Sequence, residues 1–192
     1  MRKAVERFGT GSTRRVAVAS RLERIDRLAR STGLVARLIV FESFVTAKPE
    51  PNDVDVFLLM DDSFEFARLE GETRLVFDHA VADAHFGASV FWMRRMAAFG
   101  GEQAAIEFWQ TRRFTARNCR NFPRRGVTMV QNDCELQVTT DRLAYLQAQV
   151  AHLWRTETNP ANYRASVTGF LAEIDRMQLE VREYLSVLAI GN

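Results

Sequence analysis

Two short apolar runs, rich in β-branched and aromatic residues, constrain the fold of this 192-residue chain most. They span residues 34–41 and 54–60, and the segment between them contains Pro49 and Pro51. Because proline lacks a backbone N–H and disrupts a helix interior, the two runs cannot belong to one helix. The sequence therefore predicts two strands joined by a loop.

Helical periodicity surrounds these strands. Ser12 can cap a helix whose apolar residues recur at three- and four-residue steps through residues 16–28, and Gly33 can end it. Further helices are predicted over residues 72–84 and 102–112, and further strands over residues 88–92 and 127–130. We therefore expect residues 1–130 to form a mixed α/β (α+β) domain, a sheet flanked by helices.

The last third of the chain has a different pattern, which predicts an antiparallel helical hairpin over residues 131–192. The connection is expected at Glu157–Asn159, and Pro160 marks the second start. Apolar residues then step by four and three along a heptad seam, Tyr163, Val167, Phe170, Ile174, Met177, Val181, Tyr184 and Leu188. This seam must be buried, either on the N-terminal domain of the same chain or on a protein partner or second copy.

Charge is distributed unevenly. Residues 1–128 carry a net charge of +5 and residues 129–192 a net charge of −3, so the two modules are expected to attract each other. The basic excess is densest between Arg94 and Arg125, which makes phosphate or nucleic-acid contact one interpretation. The other is a solvated face in a chain where arginine outnumbers lysine throughout.

The chain is 47% hydrophobic, which predicts a folded core. Because it contains neither a continuous apolar membrane span nor the apolar region of a signal peptide, we expect a soluble, cytoplasmic protein without membrane contact. For the same reason Cys119 and Cys134 are expected to be reduced.

The residues best suited to chemistry are Asp53 and Asp55. Alternate residues of a strand share a face, so both carboxylates would project together while Val54 and Val56 point into the core. Mg²⁺ is commonly held by one or two carboxylates together with substrate phosphates. Ser43, upstream across a turn, could offer its hydroxyl and backbone N–H to the same phosphates.

The order of strand, serine turn, loop and D-h-D resembles the nucleotidyltransferase superfamily that shares the DNA polymerase β palm fold. This superfamily includes the minimal nucleotidyltransferases of bacterial toxin–antitoxin pairs. The strings over residues 43–56, 86–92 and 124–127 more closely resemble an uncharacterised bacterial family assigned to that superfamily, and the likeness spans roughly residues 5–130.

This resemblance implies a nucleotidyltransferase-like mixed sheet and binding of a nucleoside triphosphate, ATP first among them, with Mg²⁺. It implies that Ser43 contacts the triphosphate, that Asp53 and Asp55 hold the metal, and that a nucleotidyl group passes to an acceptor hydroxyl. The string over residues 129–139 resembles the start of small antitoxin-type proteins, which implies an antitoxin-like module docked on a toxin-like one.

Two departures from the superfamily pattern favour reduced activity. Glu42 stands where the superfamily has glycine, and it would add bulk and negative charge beside a negatively charged substrate. The strand expected over residues 88–92 carries no third carboxylate, which would weaken a two-metal site. The alternative function is therefore a catalytically silent interaction module that uses the C-terminal helical seam.

Overall fold

The computed structural model describes residues 2–45, 50–51, 53–111 and 130–190. Three strands and seven α-helices lie within these ranges. The strands are β1 (Val35–Phe41), β2 (Val54–Met60) and β3 (Ala88–Arg94). The helices are α1 (Arg2–Phe8), α2 (Thr13–Ser31), α3 (Gly71–Val76), α4 (His79–Phe86), α5 (Glu102–Thr111), α6 (Asp133–Thr156) and α7 (Pro160–Ile190).

The strands form one mixed sheet in the order β1-β2-β3. The β1 strand runs antiparallel to β2, and β3 runs parallel to β2 after the crossover through α3 and α4. Parallel neighbours require such a crossover, and helices usually supply it. The mixed α+β architecture with a C-terminal helical hairpin is therefore confirmed.

One face of the sheet is covered by α2, α3 and α4. Ser12 accepts a hydrogen bond from the backbone N–H of Arg15 at 3.2 Å, which confirms it as the N-cap of α2. Gly33 follows this helix at φ +71°, a conformation that favours glycine. Side chains from α2 and from alternate positions of β2 meet in a fully buried core, Leu22, Ile25, Val54, Val56, Leu58 and Met60.

The opposite face is covered by α5 and the hairpin of α6 and α7. Trp109 of α5 stacks on Phe57 of β2 with ring centroids 4.9 Å apart, and Phe170 of α7 is fully buried beside them. Four residues of the heptad seam are buried here, Val167, Phe170, Ile174 and Met177. The seam therefore packs on the protein's own sheet, which is the first of the two arrangements considered above.

Buried polar contacts fix the hairpin on the sheet. Arg94, the last residue of β3, donates from Nε and Nη2 to both carboxylate oxygens of Glu157, at 2.7 and 2.6 Å. Asn162 is fully buried, accepts from the N–H of Phe66 at 2.7 Å and donates to the carbonyl of Phe64 at 2.8 Å. Polar groups removed from water in this way specify one docking position, because a displaced hairpin would leave them unpaired.

The helix expected over residues 72–84 is wrong as a single element. The chain forms α3 and α4 instead, separated by Phe77 and Asp78. The Asp78 carboxylate accepts a hydrogen bond from the N–H of Val81, so it begins a new helix, while Phe77 is fully buried against Trp92. The strand expected over residues 88–92 continues to Arg94, and residues 127–129 lie outside the described ranges.

Two further expectations concern thiols and membranes. Cys134, in the first turn of α6, is disulfide-bonded, so the expectation of a reduced thiol is wrong. Cys119, the other cysteine of the sequence, lies outside the described residues. Among the described helices, none has the length and apolar character needed to cross a bilayer.

Candidate functional site

The two aspartates lie where β2 begins. Asp53 is exposed and directly precedes the strand, and Asp55 is its half-buried second residue. Val54 and Val56 between them are fully buried on the opposite face, as the alternation predicts. Both carboxylates therefore belong to the same side of the sheet, the side that the hairpin and α5 cover further along the strand.

Asp55 is flanked on both neighbouring strands. Its register partners are Phe41, the last residue of β1, and Ser89, the second residue of β3. Phe41 is buried and lies 4.9 Å from Trp109 between ring centroids. Asp55 therefore lies at the boundary between the apolar interior and solvent. A ligand bound there would contact carboxylate oxygens beside the aromatic rings of Phe41 and Trp109.

Glu42 and Ser43 lie directly after β1. They begin a 3₁₀ turn over Glu42–Val45, so the backbone of Ser43 is two residues beyond Phe41, the register partner of Asp55. The side chains of Glu42 and Ser43 lie outside what the structure describes. The turn that was expected to contact phosphate therefore starts at the same edge of the sheet as the two aspartates.

Two arginines that sequence reasoning missed hold the chain on both sides of this loop. Arg15 is 8% exposed and donates from Nη1 to the carbonyls of Phe8 at 2.7 Å and Phe44 at 3.2 Å. Arg14 donates from Nε to the carbonyl of Pro51 at 3.2 Å. The start of α2 thus anchors the backbone just after Ser43 and just before Asp53.

A signal for these arginines was present in the sequence. The N-terminus of a helix carries partial positive charge, so acidic residues are favoured in its first turn and basic residues are not. The first turn of α2 contains no acid and has Arg14 and Arg15 instead. This unfavourable placement indicates that the two side chains form contacts outside the helix. Both arginines also bring positive charge near the candidate site.

Within the three strands that the structure describes, no third carboxylate accompanies Asp53 and Asp55. Ser89 occupies the β3 position level with Asp55, and β3 contains no acidic residue. Within the ranges that the structure describes, no group of three or more His, Cys, Asp or Glu side chains could hold a metal ion. Two carboxylates still suit Mg²⁺ where substrate phosphates complete its oxygen ligands.

The basic stretch between Arg94 and Arg125 is described only at its start. Arg94 is buried against Glu157, and Arg95 pairs with Glu102 at 2.9 Å. Its other arginines, from residue 112 onward, lie outside the described residues. The described part of this stretch therefore neutralises its charge within the protein.

Comparison with models of known protein families assigns the chain to a family. A family model described as "Family of unknown function (DUF6932)" matches residues 1–131. The chain belongs to this family. The part that matches the DUF6932 model contains β1, β2 and β3 with Asp53 and Asp55, and it stops just before α6 begins. Comparison with curated proteins and with solved structures finds no significant match.

Proposed function

We propose that this member of the DUF6932 family binds a nucleoside triphosphate with Mg²⁺ at the edge of the sheet where β1 ends and β2 begins. The observation that carries the proposal is the pair Asp53 and Asp55 on one side of the sheet, with Asp55 in register with the residue that precedes the Ser43 turn. Carboxylates beside a serine turn offer what a magnesium-bound triphosphate needs, namely oxygen ligands for the metal and hydrogen-bond donors for the phosphates.

The chemistry proposed is nucleotidyl transfer. The oxygen of an acceptor hydroxyl attacks the α-phosphorus and loses its proton to solvent. The bond from the α-phosphorus to the bridging oxygen breaks, and pyrophosphate leaves with the electron pair. Asp53 and Asp55 would hold Mg²⁺, whose charge lowers the energy of the phosphate oxygens as charge develops on them. We place this activity in the cytoplasm.

Calorimetric titration with ATP, with and without Mg²⁺, tests the binding step. We expect the parent protein to bind ATP only with Mg²⁺ and Asp53→Asn to lose this binding. Glu42→Gly should bind more tightly because it removes negative charge beside the substrate. Asp61→Asn, at the other end of β2, is the matched control and should bind like the parent. Unchanged binding by Asp53→Asn would overturn the proposal.

A second candidate is a catalytically silent interaction module that uses the C-terminal helical seam. The observation that favours it is Ser89, which stands level with Asp55 where an acid would add a third ligand. Incubation with α-labelled nucleoside triphosphates separates the two candidates. Label transfer that Asp55→Asn abolishes supports the enzyme, and its absence in a protein that binds the nucleotide supports the silent module.

A further inference from the structure

The C-terminal hairpin carries most of the large apolar side chains that the described residues expose. Five of the eight lie there, Trp154, Leu171, Leu179, Leu185 and Val187. Trp154 is 70% exposed and Val187 69%. Large exposed apolar side chains concentrated in one part of a protein are typical of an interaction surface.

Three of these side chains, Trp154, Leu171 and Leu185, border a groove between α6 and α7. One part of the groove has a volume of about 580 Å³ and is lined by Val150, Trp154, Tyr163 and Leu171 among others. A second part, of about 430 Å³, lies towards the other end of the hairpin and is lined by Leu143, Val181 and Leu185 among others. Both are open and lined mainly by apolar surface, which is the kind of surface that the apolar side of another helix fits.

The C-terminal end of α7 extends past α6. The hydroxyl of Tyr184 donates to the carboxylate of Asp133, the first residue of α6, at 2.9 Å. The α7 helix nevertheless continues to Ile190, and Val187 is 69% exposed on this extension. The apolar surface of the extension therefore lies beyond the helix that covers the rest of the seam.

A stripe of exposed residues on α7, here called the outer stripe, carries charges of opposite sign. It runs beside the buried seam at steps of four and three, through Leu171, Asp175, Gln178, Arg182 and Leu185, and all five residues are exposed. Asp175 and Arg182 are seven residues apart. Neither forms an ion pair with any residue in the part of the chain that the structure describes.

Two antiparallel copies of this stripe match around a point between Gln178 and Leu179. In that arrangement Asp175 of each copy lies level with Arg182 of the other copy. The two-fold symmetry therefore gives two equivalent ion pairs. Leu185 of each copy is level with Ala172 of the other, beside the part of the groove that contains Leu171. Charge and apolar surface are thus complementary in the same register.

We propose that the protein forms a two-fold symmetric homodimer in which the outer stripes of α7 from two copies pack antiparallel. The interface is a four-helix arrangement, because the groove between α6 and α7 of each copy receives apolar side chains from the other. This inference is independent of the nucleotide site, which lies on the sheet.

Analytical ultracentrifugation of the full chain over a dilution series tests the dimer. We expect the parent to dimerise reversibly. Asp175→Arg and Arg182→Asp should each raise the dissociation constant about 10-fold or more, since each replaces two attractive pairs with two repulsive ones. The double variant restores both pairs with reversed polarity and should return to within about 3-fold of the parent. Asp83→Arg, an exposed reversal on α4, is the control and should leave the dissociation constant unchanged.

Thermal unfolding of each variant shows whether the monomer fold is intact, so that a change in association is not a loss of structure. A parent protein that stays monomeric throughout the series would overturn the proposal. A dimer that neither single reversal weakens would overturn it too, because the contact would then lie on another surface. A double variant that fails to recover would exclude this register.

Discussion

Acidic residues flank β2 at both ends, but they are used differently. Directly after the strand, Asp61 accepts hydrogen bonds from the backbone N–H and hydroxyl of Ser63, at 3.0 and 2.8 Å. These bonds stabilise the carboxylate and lower the pKa of Asp61. Asp62 accepts from the N–H of Met96 at 2.8 Å. At this end, carboxylates hold turns in place.

The same end contains the buried Arg94 and Glu157, whose carboxylate is 1% exposed. At the start of β2, by contrast, Asp53 is exposed and Asp55 half-buried. The chain therefore buries a charged pair where that pair fixes the hairpin, and it keeps Asp53 and Asp55 closer to the surface at the start of β2. We therefore expect substitutions at one end to change stability and at the other to change ligand binding.

The largest expected effect is that of Glu157→Gln. Removing the carboxylate leaves the guanidinium of Arg94 buried without its counter-charge, so the free energy of unfolding should fall by about 3–5 kcal/mol. Urea denaturation measures it. The control is Glu102→Gln, which removes the partly exposed pair with Arg95 and should cost less than about 1 kcal/mol. Equal losses would show that burial does not distinguish the two pairs.

A smaller effect is expected from Asn162→Ala. This variant leaves the N–H of Phe66 and the carbonyl of Phe64 without their partner, so we expect a loss of about 2–3 kcal/mol in urea denaturation. Thr158→Ala, at an exposed position in the same connection, should stay within about 0.5 kcal/mol of the parent. If both variants unfold alike, Asn162 does not fix the hairpin.

The two ends of β2 can also be compared directly. Asp62→Ala removes the acceptor for the N–H of Met96 and should lower the free energy of unfolding by about 1 kcal/mol. Asp53→Asn should change it by less than about 0.5 kcal/mol, because the residue is exposed and outside the strand. A larger loss for Asp53→Asn than for Asp62→Ala would remove the contrast between the two ends.

A further effect concerns alkaline pH. Burial raises the pKa of Tyr145 to about 12, where its ring stacks on Phe108 of α5 at 3.9 Å between centroids. Burial in the folded protein favours the neutral phenol of Tyr145 over its anion. The contribution of the neutral phenol to the free energy of unfolding is therefore complete below pH 10 and is lost as the pH rises towards 12. Tyr145→Phe should therefore lose less stability than the parent over this interval, as followed by circular dichroism. Identical profiles would contradict the assignment.

Local patterns predicted the elements well because each depends on nearby residues. The alternation in residues 54–60 and the heptad steps from Tyr163 to Met177 record which side of an element is buried, and both were confirmed. Asp78 shows the limit of such reasoning. Its capping role was available in the sequence, but the buried position of Phe77 depends on Trp92, which lies on another element.

Long-range polar contacts could not be predicted in this way. The pairing of Asn162 with the backbone at Phe64 and Phe66 joins positions almost a hundred residues apart, and nothing in either segment specifies the other. The same holds for Arg15 and the carbonyl of Phe44. For the candidate site, the sequence identified Asp53 and Asp55 as a pair, whereas the register with Phe41 and Ser89 required the sheet.

The most direct test of the account is electron paramagnetic resonance titration with Mn²⁺ in place of Mg²⁺, in the presence and absence of ATP. We expect the parent protein to form a ternary complex with Mn²⁺ and ATP. Asp55→Asn should lose this complex, and Asp61→Asn at the opposite end of β2 should retain it. Complexes of equal strength in the parent and both variants would contradict the claim that the start of β2 holds the metal–nucleotide site.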